Sequence, residues 1–95
     1  MIKLFRIVGD SLYPLYKEGE LVIAIRPKYG LHVKPQDIVT FTCKSVGVMI
    51  KRVRSIENTQ VFVEGTSPNS VDSRVFGTIP LNEISYKILF RIPFL

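Results

Sequence analysis

Two side chains in this sequence are suited to chemistry by their type and by their neighbours: a serine in a tight turn and a lysine in an apolar strand. Ser11 follows a short apolar segment and lies between Gly9 and Pro14, two residues typical of turns. Such a turn exposes the serine hydroxyl and points a backbone N–H beside it, as nucleophilic catalysis requires. The alternative interpretation is that Ser11, or the preceding Asp10, only caps the turn.

The lysine is Lys51, in the segment Ile-Lys-Arg-Val at 50–53. Because side chains alternate between the two faces of a strand, Lys51 shares its face with Met49 and Val53. One interpretation is an exposed strand whose lysine extends its amine into solvent. The other is a lysine in dry surroundings, which disfavour the charged ammonium and leave an amine that can act as a base near neutral pH.

A polar loop at residues 64–77 supplies the third candidate segment. It is rich in short side chains that often hydrogen-bond to nearby backbone, among them Ser70 and Asp72. On its own, the segment predicts a surface turn in which Asp72 and Arg74 form an ion pair worth less than about 1 kcal/mol.

Taken together and in order, the three segments resemble those of the type I signal peptidase family, the serine–lysine dyad proteases. They read Gly-x-Ser-x-x-Pro at 9–14, Lys-Arg-Val at 51–53 and Ser-x-Asp-Ser-Arg-x-x-Gly at 70–77. The resemblance extends from about Val8 to Pro80 and therefore covers most of the chain. It implies the folded β-sheet of the signal peptidase and LexA catalytic domains.

The resemblance also implies a role for each matching residue. Ser11 would be the nucleophile, Lys51 its general base, and the Ser11 backbone N–H an oxyanion donor. Ser70 would orient the lysine amine, and Asp72 and Arg74 would form the ion pair that holds the loop.

This chain departs from the family in three places. Leu12 stands where methionine is usual, a change that preserves volume and should be tolerated. Gly65-Thr66-Ser67 replaces the common Gly-Asp-Asn, so the usual hydrogen bonds of that turn are in doubt. Gly9 stands where some bacterial members place a serine that supplies the second oxyanion donor, which leaves that donor unassigned here.

The size of the chain favours one subgroup of that family. The longest apolar run is 21–25, whereas a spanning helix needs roughly 20 residues, so we expect no transmembrane anchor. A small domain without an anchor resembles the proteases associated with maturation of nickel-type superoxide dismutase. The resemblance implies a serine endopeptidase that removes an N-terminal leader from a precursor, with the nickel superoxide dismutase precursor as the expected partner.

Composition limits the other possibilities. The chain has 95 residues, which predicts one domain over 1–95, and a net charge of +5, which permits an acidic partner without requiring one. Cys43 is the single cysteine and His32 the single histidine, so disulfides and His-Cys metal clusters are excluded and no cofactor is expected. The lone cysteine fits a reducing compartment, and we expect a cytoplasmic location.

The elements that must position these residues are strands. Short β-branched and aromatic runs bounded by Gly, Pro, Asn and Asp predict a mostly β fold with little helix, closed as a folded sheet or small barrel. We expect tight connections at Gly47 and at residues 57–59. The predicted strands are 2–8, 20–26, 37–44, 47–55, 60–64 and 83–91.

Three alternatives remain open at this point. A self-cleaving repressor domain of the LexA type uses the same dyad, but it needs a cleavage segment that the ten residues before Ser11 are too few to supply. A small basic β-barrel could bind single-stranded nucleic acid, although the mild charge leads us to expect no nucleic-acid partner. The residues that could serve it are Tyr16, Tyr29, Phe41, Arg52 and Arg54. A catalytically silent peptide-binding domain would keep the fold without the reaction.

Overall fold

The structure is a computed structural model that describes residues 2–10, 12–27, 33–44, 47–66 and 77–92. These residues form one antiparallel sheet of seven strands, with the spatial order β1-β2-β7-β3-β4-β5-β6. The strands are β1 (Ile2–Arg6), β2 (Leu21–Ile25), β3 (Ile38–Cys43), β4 (Gly47–Glu57), β5 (Gln60–Glu64), β6 (Ile79–Pro80) and β7 (Tyr86–Ile92).

The prediction of a mostly β fold is confirmed. Each of the six predicted strands is present, and its ends differ from the prediction by no more than three residues. In the described ranges, the only helical element is a 3₁₀ turn at Leu81–Glu83. No described helix has the length and apolar character needed to cross a membrane.

Of the two predicted forms, a folded sheet and a small barrel, the structure has the first, because the sheet does not close on itself. β1 and β6 lie at its two edges and do not pair with each other.

The strands carry an apolar cluster on each face, because their buried residues alternate. The first cluster comprises Ile7, Leu12, Val22, Ala24, Ile38, Tyr86 and Ile88. The second comprises Val33, Val39, Phe41, Val53, Val61, Val63 and Ile84.

Two predicted tight connections fix the order of β3, β4 and β5. Gly47 opens β4 with a φ of +96°, a left-handed conformation that glycine adopts without steric cost. Asn58, with a φ of 57°, turns the chain from Glu57 to its register partner Gln60. These turns place Lys51 in a central strand, with β3 on one side of β4 and β5 on the other.

Candidate active site

The turn that carries Ser11 is closed at its base by backbone hydrogen bonds. Ile7 N–H donates to the Glu20 carbonyl over 2.8 Å, and Gly19 N–H donates to the Ile7 carbonyl over 2.8 Å. Ser11 itself lies outside the described residues, between the described Asp10 and Leu12. Because Leu12 is buried in the first apolar cluster, the residue after Ser11 is anchored to the core.

The Glu18 side chain holds the start of the same turn. Its carboxylate accepts a hydrogen bond of 2.9 Å from the Gly9 N–H. Gly9 has a φ of +81°, which other residues adopt only with strain. A serine here, as in some members of the family that this sequence resembles, would be strained, so the second oxyanion donor remains unassigned.

Lys51 is buried, and its side chain is only 3% exposed. It lies in β4 opposite Val39 of β3, between Met49 and Val53, which both belong to the second apolar cluster. The interpretation as an exposed lysine that reaches into solvent is therefore wrong. The structure places the amine in the dry surroundings that the base role requires.

A second lysine, Lys87 of β7, shares the face of Lys51. Val39 is in register with both Lys51 and Lys87, so the two lysines lie on one face of the sheet, two strands apart. Lys87 is paired with Asp37, with 3.2 Å between its Nζ and Asp37 Oδ2. This ion pair compensates the charge of Lys87.

The 64–77 loop begins at Glu64, which is opposite Arg52, the residue that follows Lys51 in β4. Arg52 is the register partner of Glu64, and 3.0 Å separates its Nη2 from Glu64 Oε2. Both side chains are partly buried, which screens the pair less than full exposure would. The pairing fixes the point where the chain leaves β5 toward residues 65 and 66.

The third segment also contacts the serine turn. The Thr66 hydroxyl donates a hydrogen bond of 3.0 Å to the backbone carbonyl of Tyr13. The described residues thus bring together three parts of the chain that the sequence analysis had linked only by resemblance: the Ser11 turn, the Lys51 strand and the start of the 64–77 loop. Ser70, Asp72 and Arg74 lie outside the described residues.

A groove of about 180 Å³ lies between the end of β1 and the first half of β4. One wall is formed by residues 5–8 and the other by residues 48–50, with Thr40 of β3 contributing as well. The first wall leads to the Ser11 turn, and the second ends at the residue before Lys51. The groove therefore lies between the segment that leads into the serine turn and the strand that carries Lys51.

Sequence reasoning missed Thr40, Thr66 and the pairing of Glu64 with Arg52. A signal for Thr40 was present, because strand alternation places it on the same face as Ile38, among apolar side chains. Thr66 carried no such signal, since its bond to Tyr13 joins residues 53 positions apart.

The structure also bears on the residues considered for nucleic-acid binding and for a metal site. Phe41 is buried in the second cluster, so it cannot offer a ring for base stacking. Arg54 lies over the Phe62 ring, with 5.5 Å between its Cζ and the ring centroid. Tyr29 and His32 fall outside the described residues. Within the described ranges, no three His, Cys, Asp or Glu side chains cluster in a way that could hold a metal ion.

Comparison with known proteins adds no family assignment. No protein-family model matches the chain. A search of curated proteins finds no match either.

Proposed function

We propose that this protein is a serine endopeptidase in which Ser11 is the nucleophile and Lys51 is the general base. The observation that carries the proposal is the burial of Lys51, which is only 3% exposed in the middle of a strand. A lysine can act as a base only in its neutral form, and removal from water favours that form.

The chemistry follows from these two groups. The neutral Lys51 amine takes the proton of the Ser11 hydroxyl as its oxygen attacks the peptide carbonyl carbon, and the Ser11 backbone N–H stabilises the resulting oxyanion. The lysine ammonium then gives its proton to the departing amine as the peptide bond breaks. Water, deprotonated by the same lysine, hydrolyses the acyl-enzyme and regenerates the Ser11 hydroxyl.

Two contacts of the described residues support this arrangement. The bond from Thr66 to Tyr13 joins the 64–77 loop to the serine turn, and the Arg52–Glu64 pair joins it to the lysine strand. In the proposal, Ser70 orients the Lys51 amine, and Asp72 pairs with Arg74 to stabilise the loop.

The substrate that the groove suits is an extended peptide. Its volume of about 180 Å³ suits small side chains. In the described residues β1 is an edge strand and residues 48–50 are not in register with β5, so both sides of the groove leave room for an added strand. Together with the resemblance described above, this supports removal of an N-terminal leader from a precursor, with the nickel-type superoxide dismutase precursor as the proposed substrate.

The decisive experiment incubates the protein with the leader-bearing superoxide dismutase precursor and determines the product masses. We expect one cut that releases the leader. Ser11→Ala and Lys51→Met should each abolish cleavage while the proteins stay folded by circular dichroism.

Ser55→Ala is a matched control, because Ser55 is an exposed serine on β4 outside the groove. It should cleave at the wild-type rate. An intact precursor under all conditions would exclude this substrate, and turnover by either dyad variant would exclude the dyad.

A further inference from the structure

Thr40 carries a buried hydroxyl without a hydrogen-bond partner among the described residues. It lies in the middle of β3 and is 2% exposed, and its Oγ1 forms no hydrogen bond with the described residues. A hydroxyl can donate one hydrogen bond and accept two, and buried polar atoms are nearly always paired. An unpaired hydroxyl at this place therefore needs an explanation.

The same residue lines the groove described above. Thr40 is in register with Ile50 of β4 and Tyr86 of β7, so its side chain lies on their face of the sheet, and it lines the groove together with Ile50. The other lining side chains are apolar except for Arg6, whose Nη1 donates to the Gly19 carbonyl over 2.8 Å. Thr40 thus offers the groove a hydrogen-bonding group that no described residue uses.

We propose that Thr40 determines substrate specificity by hydrogen-bonding to a side-chain hydroxyl of the peptide, that of serine or threonine, at a position close to the scissile bond. The inference rests on the proposed protease function and narrows its substrate class. A hydroxyl can either accept a hydrogen bond from Thr40 or donate one to it, and it is small enough for a groove of about 180 Å³. A charged side chain would lose its hydration against the apolar walls.

The test uses internally quenched peptides that span the leader junction of the nickel-type superoxide dismutase precursor. They form pairs that differ only in threonine or valine, which have nearly the same shape, at each of the three positions before the cut. We expect kcat/KM for the threonine peptide to be about tenfold higher at one position, the effect of one hydrogen bond in a dry site. Equal rates at every position would overturn the proposal.

Two variants identify Thr40 as the cause of the preference. Thr40→Val removes the hydroxyl without changing the shape, and the threonine-to-valine ratio should fall to about one. Thr40→Ser keeps the hydroxyl and should preserve the ratio. The melting temperature of Thr40→Val should equal or exceed that of the wild type, because the variant buries no unpaired oxygen. An unchanged ratio in Thr40→Val would refute the assignment.

A binding measurement separates this inference from the proposed function. Fluorescence anisotropy with the Ser11→Ala variant and labelled forms of the same peptides gives Kd without cleavage, and the same tenfold ratio is expected. If the wild type cleaves nothing but the Kd ratio is present, the protease proposal fails and the role of Thr40 stands. If the peptides are cleaved without preference, only the role of Thr40 fails. If neither peptide binds, both fail.

Discussion

The hydroxyl of Thr66 donates a hydrogen bond to the backbone carbonyl of Tyr13, and so joins the loop after β5 to the turn that carries Ser11. The two residues are 53 positions apart in the chain, and the bond is 3.0 Å long. No pairing between strands links these two segments directly in the described parts of the chain. This side-chain bond is therefore a specific tether between them.

We predict that Thr66→Val lowers kcat/KM about tenfold, because the turn and the loop lose their fixed separation and near-ångström positioning governs catalysis. The free energy of unfolding should fall by only about 1 kcal/mol, the usual worth of such a bond. Steady-state kinetics and urea denaturation test the two effects. Thr78→Val is the matched control, since Thr78 also donates a side-chain bond, of 2.8 Å to Gln60, but away from the groove. An equal loss of activity in both variants would show that the tether has no special role.

Lys51→Arg should destabilise the protein more than Lys51→Met, although arginine is chemically the closer substitute. A buried lysine can lose its proton, whereas arginine stays charged at all accessible pH values, and its larger head group overfills a site almost closed to water, which typically costs about 1–3 kcal/mol. Methionine fills a similar volume without charge. Denaturant unfolding of the three proteins at neutral pH measures the difference. Equal stabilities of the arginine variant and the wild type would mean that the side chain of residue 51 reaches water.

The cleavage rate should rise with pH. In the proposed mechanism Lys51 must be neutral to accept the serine proton, and burial of the residue favours the neutral form. Below the pKa in the folded protein, log kcat/KM should rise by about one for each pH unit, because only the neutral amine accepts the serine proton. Above that pKa the profile should be level. Lys87→Met is the control, because Lys87 is the other lysine on this face of the sheet and is paired with Asp37, so its loss should keep the shape of the profile. A flat profile between pH 6 and 10 would rule out lysine as the base.

The ion pair between Arg52 and Glu64 should contribute to activity more than to stability. Glu64→Gln weakens the contact that fixes the start of the 64–77 loop, so we expect a severalfold loss of kcat with a stability loss of about 1 kcal/mol or less. Because the two residues are directly opposite in the strand register, the exchanged pair Arg52→Glu with Glu64→Arg should recover most of the lost activity. If kcat of this double variant is no higher than that of the less active of Arg52→Glu and Glu64→Arg alone, the two side chains have separate roles.

The sequence was sufficient to predict the strands and the face of Lys51, because both depend on alternation between neighbouring residues. β6 was missed since it has two residues, Ile79 and Pro80, too few to form a pattern. The groove was not predictable from such patterns. It forms where the curvature of the whole sheet brings the end of β1 close to β4, and no local sequence feature encodes that approach.

β1 is an edge strand that pairs only with β2 among the described strands, and it also leads into residues 7 and 8 of the groove wall. Lys51 lies in β4, which pairs on both sides. Amide hydrogen exchange should therefore be faster in β1 than around Lys51, since edge strands open locally without global unfolding. One wall of the groove can yield to an incoming peptide while the proposed base keeps its place, so substrate admission and proton transfer depend on parts of the sheet that differ in rigidity.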